Sequence, residues 1–172
     1  MVARARRQTP ESRRLEILEA ALAVADEVGF DRLTSRRVGI RAGVAPGLIH
    51  HYFRTTDDLI AATFGRLAAL EHAALQERIS NLPPCAALAT HVSSHLAVSE
   101  GDARLWMSAW VAAPQRPELA AEVDKWMLAG LEMLADLLNQ GKQSGDFTID
   151  DGRASAYRIL VLLDRSSSML DE

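Results

Sequence analysis

Residues Gly43 to Phe53 read "GVAPGLIHHYF", joining a glycine turn, a Pro-Gly pair and two adjacent histidines, whose imidazoles change charge near neutral pH. Metal ligation, base catalysis and contact with another macromolecule are all open to such a pair. On a helix, sequence neighbours point about 100° apart, so His50 and His51 make poor co-ligands for one ion. His91 and His95 have the four-residue spacing that puts two imidazoles on one helix face, as in zinc-binding helices. Between them, however, "HVSSH" lacks a glutamate, and no third ligand is apparent. These two read as partly exposed helix histidines or as polar groups of a pocket. The chain offers no nucleophile elbow, phosphate loop or paired-cysteine metal site, and "GKQSGD" at 141–146 follows a helix without phosphate-loop spacing. The expectation is a protein that is not an enzyme, with no catalytic residue, metal or cofactor.

The remaining candidates bind rather than react. Arginines cluster at 4–7, 13–14 and 36–37, and the first 55 residues hold ten arginines against six acids. The remainder carries nine basic and seventeen acidic residues, within a net charge of -4. A basic amino-terminal third on an acidic body suggests that only this end meets a polyanion, since like charge repels the rest. Trp106, Trp110 and Trp126, with Met107, Met127 and Met133 near them in sequence, fit core packing and pocket lining alike. Taken as pocket lining, the candidates are Phe64, His95, Trp106, Met107, Trp110 and Trp126, and such aromatics could hold a quaternary ammonium by cation–π attraction.

Helices must position all of these groups. Residues 1–10 are polar and basic and read as an arm; Thr9 and Pro10 then open a helix carrying Leu15, Leu18, Leu22 and Ala25, which Gly29 ends. Thr34 caps a short helix over 35–41, Gly43 closes it, and Pro46 starts another, so that a tight glycine turn joins two short helices as a helix-turn-helix. Thr55 or Thr56 caps a longer helix with Asp57 and Asp58 in its first turn. Breaks at 81–84, 99–102, 113–118 and 141–150 leave further helices near 84–98, 102–112, 117–140 and 150–170. No run alternates as a strand, so the fold class is all-α: a three-helix head, residues 1–55, and a helical-bundle body, residues 56–172. The lone Cys85 has no partner for a disulfide, and neither an apolar leader nor a long uncharged apolar run is present, so a soluble, cytoplasmic bacterial protein is expected, at the nucleoid when DNA-bound.

The head resembles the TetR family of bacterial transcriptional regulators, through "EVGF", "LTSRRVGIRAGV" and "APGLIHHYFRTTDDLI" in the family's order and spacing. Departures are Gly39 where alanine is usual, Ala45 where a serine or threonine cap is usual, His50 for tyrosine, and Thr56 for a phosphate-binding lysine. The body resembles, more loosely, the choline-to-glycine-betaine regulators of that family, through 104–123 and "ILVLLD" at 159–164. Against that pattern the body is short at its carboxy-terminus, where a further helix normally completes a four-helix dimer interface.

The resemblance implies a DNA-binding repressor, acting as a homodimer on a double-stranded operator and relieved by a small-molecule effector, cationic or apolar. A helix of about seven residues fits the major groove of B-DNA. Thr34, Ser35, Arg36, Tyr52 and Arg54, with His50, would then hold the backbone, while Ala45, Pro46, Gly47, Leu48 and His51 would lie nearest the bases. Two other readings use the same residues: a DNA-binding dimer without a ligand, and a small-molecule-binding protein whose DNA binding Ala45 and Thr56 have weakened.

Overall fold

A computed structural model describes residues 9–97 and 100–167. Among these residues the regular elements are eight α-helices and one 3-10 turn at Ala113–Gln115: α1 Pro10–Val28, α2 Ser35–Ala42, α3 Pro46–Tyr52, α4 Thr56–Ile79, α5 Pro84–Leu96, α6 Glu100–Ala112, α7 Pro117–Ser144 and α8 Gly152–Ser167. The all-α fold is as expected. The arm up to Gln8, and the last residues of the helix expected to reach 170, lie outside the described residues. No helix among the described residues is long and apolar enough to cross a membrane.

Local signals set the helix ends. Thr9 accepts a hydrogen bond from the Ser12 amide (3.1 Å) ahead of Pro10, Thr34 accepts one from the Arg37 amide (3.3 Å), and Thr55 accepts one from the Asp58 amide (2.9 Å). Gly43 closes α2 at φ +65°, a conformation that costs an L side chain strain, while the Val44 amide returns to the Gly39 carbonyl (2.9 Å). Where the sequence suggests a break after residue 140, α7 instead continues one turn to Ser144. Gly141 lets it do so: a Cβ there would stand 2.1 Å from the Phe147 ring, so bare backbone is what allows that ring to pack on the helix.

The chain divides into two compact units that do not follow sequence order. The first takes the residues up to Leu67 together with Arg104–Val123; the second takes Ala68–Ala103 and the residues from Asp124 on. In the first, the apolar stripe of α1 (Ile17, Leu18, Ala21, Val24, Ala25) is buried, as are Val38, Ile49, Phe53, Leu59, Ile60 and Phe64, and the returning segment adds Leu105, Ala109 and Leu119. The core of the second is Ile79, Ala87, Met133, Leu134, Ala135, Leu137, Leu138 and Ala156, backed by Phe147, Ile159 and Leu160.

Candidate nucleic-acid interface

Three helices, α1 and the two short helices α2 and α3, build the surface that the arginines decorate. α1 packs on α2 and α2 on α3, and α3 is anchored by Ile49 and Phe53, both buried. The Arg14 guanidinium lies 4.8 Å from the centre of the Phe53 ring, fixing the end of α3 to α1. With that face inward, α3 leaves Ala45, Gly47, His50 and His51 exposed and Leu48 and Tyr52 half-buried. Ala45 sits at the N-cap with no side-chain cap bond, so the first turn of α3 is held only by backbone, the Leu48 amide bonding the Ala45 carbonyl at 2.9 Å. A Cβ on Gly47 would meet nothing within 4 Å. The fold therefore does not need glycine there, and its smallness acts outward. His51 packs edge-on against Tyr52, ring centroids 5.3 Å apart.

The candidate backbone-holding groups divide by what they already touch. Thr34 is exposed and caps α2, whereas Ser35 is only 7% exposed and its hydroxyl shares a 3.0 Å hydrogen bond with Thr56, tying α2 to the start of α4. At this end of α2 an anion would therefore meet first-turn amides rather than the Ser35 hydroxyl. Arg36 and Arg37 stand exposed, while Arg41 is paired with Glu27 at 2.5 Å. Arg54 has a side chain 92% exposed that reaches Asp58 at 3.4 Å. An open cleft of about 370 Å³ on this flank of α3 is lined by Arg14, Tyr52 and Arg54 but also by Asp58, Glu118 and Glu122, so its cations are balanced. The unbalanced positive charge lies on α2.

The segment 104–123 is fastened to the head by polar contacts that local sequence does not reveal. Arg104 pairs with Asp26 at 2.7 Å, the Phe30 amide donates to Ser108 Oγ at 3.3 Å, and Arg116 pairs with Asp57 and donates to the Asp31 carbonyl. Fifty-nine and more residues separate these partners along the chain.

The candidate ligand residues fall in both units. In the first, Phe30, Phe64, Trp106 and Trp110 form a chain of edge-to-face rings with centroids 5.8, 4.8 and 6.2 Å apart. Phe64 is fully buried, as a core side chain is, while Met107 and Trp110 are exposed. Trp126 and His95 belong to the second unit: Trp126 packs on His72 with the Lys125 ammonium 5.1 Å from its ring centre, and His95 stacks on His91. Sequence spacing pairs His91 with His95; nothing in it brings in His72 from another helix. Burial and the neighbouring imidazoles of His95 and His72 lower the His91 pKa from its ordinary value to about 4.

Residues 17–63 match the profile of bacterial regulatory proteins, tetR family. The HTH-type transcriptional regulator BetI of Pseudomonas fluorescens is 30% identical over 113 residues, a match covering 62% of this chain and 57% of that protein, little more than half of its length. Among solved structures, a TetR transcription regulator from Haloarcula marismortui superposes with a TM-score of 0.81 at 23% identity, covering 94% of this chain and 89% of that one. A putative transcriptional regulator from Saccharomonospora viridis, solved in complex with choline, gives 0.77 at 19% identity, covering 91% and 83%. At these identities the two structures speak for the fold.

Proposed function

We propose that this chain, which belongs to the tetR family of bacterial regulatory proteins, is a repressor that binds an operator through α2 and α3 and is released by a small-molecule effector. One observation supports the DNA reading most directly: Gly47, exposed in the first turn of α3, is a small residue that the fold does not require, beside the exposed cationic surface of α2. A backbone this bare can approach base edges closely, and in this reading Arg36, Arg54, Tyr52 and the amides of α2 hold phosphates on either side. Two heads in a homodimer would read half-sites about one helical turn of DNA apart, roughly 34–36 Å. Control by an effector needs only that it bind the non-DNA conformation better. The polar contacts of Arg104, Ser108 and Arg116 then matter, because they hold the head to helices whose other ends belong to the second unit. Support for a metabolite effector comes from the choline bound to the Saccharomonospora viridis protein.

Footprinting on the DNA upstream of the gene tests the reading: a protected, roughly palindromic site is expected, and no protection at physiological salt would refute it. Gly47→Ala separates the interface from the fold. The variant should be as stable as the parent, or more so by up to about 1 kcal/mol, because alanine is the better helix former and has room. Operator affinity should fall roughly tenfold, the size of one base-level interaction, as measured by fluorescence anisotropy. Deleting residues 2–8 is expected to weaken binding and flatten its salt dependence by about 0.9 in logarithmic slope for each phosphate that the arm neutralises; an unchanged slope removes the arm from the interface.

A further inference from the structure

Three of the chain's five histidines meet in the second unit. His91 and His95, one turn apart on α5, stack with ring centroids 5.0 Å apart and planes 20° from parallel. His72 comes from α4, acts on the charge of His91, and has its ring 5.6 Å from that of Trp126 on α7. His91 is 1% exposed, and neither Nδ1 nor Nε2 has a hydrogen-bond partner. A neutral imidazole carries one donor and one acceptor, and buried polar groups are nearly always satisfied. An orphaned ring in a unit with a largely aliphatic core is therefore a group whose partner comes from outside the protein's own bonding.

Charge decides which partner. The imidazoles of His95 and His72 oppose protonation of His91, and the Lys125 ammonium already occupies a face of Trp126. Glu71, just before His72 on α4, has contacts of its own although its buried Oε1 accepts no hydrogen bond, and Asp124 beside Lys125 is exposed. A cation entering here would meet the Lys125 ammonium and leave the imidazole N–H of His91 unmatched. A carboxylate accepts that N–H and supplies the counter-charge that lets the ring take up a proton. A monoanion with an apolar tail is also easier to desolvate than a phosphate, which carries nearly two charges near neutrality. Among the described residues, no group of three or more His, Cys, Asp or Glu could hold a metal ion.

We propose that His72, His91 and His95 form the polar end of the effector site, and that this site takes a small organic monocarboxylate. The proposal rests on the reading of the chain as a ligand-controlled regulator. The test uses the full chain with 13C at histidine Cε1, titrated with acetate, butyrate, octanoate and benzoate between pH 6 and 8, and with choline as the cationic control. At least one acid is expected to shift the His91 and His95 resonances. Its affinity should tighten as pH falls, by up to tenfold per unit, because binding raises the His91 pKa above its unliganded value of about 4 and takes up a proton.

His91→Leu should abolish that proton uptake and weaken binding at least tenfold. His95→Gln, which leaves His91 in place, should also weaken binding, in a protein whose circular dichroism matches the parent. Silence towards all four acids, or the same resonances answering to choline, overturns the carboxylate site. Operator binding measured on the same samples separates the two readings. An operator-binding protein with silent histidines overturns the site alone, whereas histidines that answer to an acid in a protein blind to operator uphold the site and overturn the regulator.

Discussion

Phe64→Ala is expected to cost about 3–5 kcal/mol, the range for emptying a fully buried aromatic position. In a chain of this size that corresponds to a fall in melting temperature of about 10 °C. The side chain is held on two sides by edge-to-face contacts, to Phe30 at 5.8 Å and to Trp106 at 4.8 Å, so its removal leaves a cavity lined by rings that cannot collapse into it easily. Trp110→Ala, at the exposed end of the same chain of rings, should cost about 1 kcal/mol or less. Scanning calorimetry of the two variants distinguishes core from pocket. If Phe64→Ala melts with the parent while losing effector response, Phe64 is a ligand contact and not a core member.

The second large effect is acid destabilisation through His91. Its folded-state pKa of about 4 lies below the ordinary 6.5, so between these values the unfolded chain binds a proton that the folded one does not. Stability from this group is therefore intact above pH 6.5 and lost as pH falls from about 6.5 to about 4. The loss approaches 3 kcal/mol, at up to about 1.4 kcal/mol per pH unit. His91→Leu should erase this component. At pH 7 the variant should be about as stable as the parent, since the ring it replaces makes no hydrogen bond. Urea titrations of parent and variant at pH 7.5, 6 and 5 measure the difference, and parallel curves would show that His91 titrates normally in the folded protein.

What the sequence makes legible is whatever is encoded within a turn or two of itself. Thr9, Thr34 and Thr55 sit where their hydroxyls cap, Gly43 where φ is positive, and Pro46 at a first helical turn, so the helix-turn-helix follows from local chemistry. Gly141 misleads for the complementary reason. Read alone it is a breaker, and only the Phe147 ring lying against it explains why the helix runs through. Thr34 and Ser35 look equivalent as donors until burial and the bond to Thr56 part them. The contacts of Arg104, Ser108 and Arg116 with the head, and of His72 with the α5 pair, join residues that no spacing rule connects.

The return of residues 104–123 to the first unit has a consequence for the order of events during synthesis. Helices α1, α2 and α3 leave the ribosome before α6, yet Phe64 waits for Trp106, the Phe30 amide for Ser108, and Asp26, Asp31 and Asp57 for Arg104 and Arg116. The unit that would meet DNA is completed only after residues 104–123 have emerged. Contacts of such long sequence separation slow the search for the native state. A nascent head is thus exposed to the cell before its packing is finished, and vectorial translation makes residues 104–123 a partner in its folding.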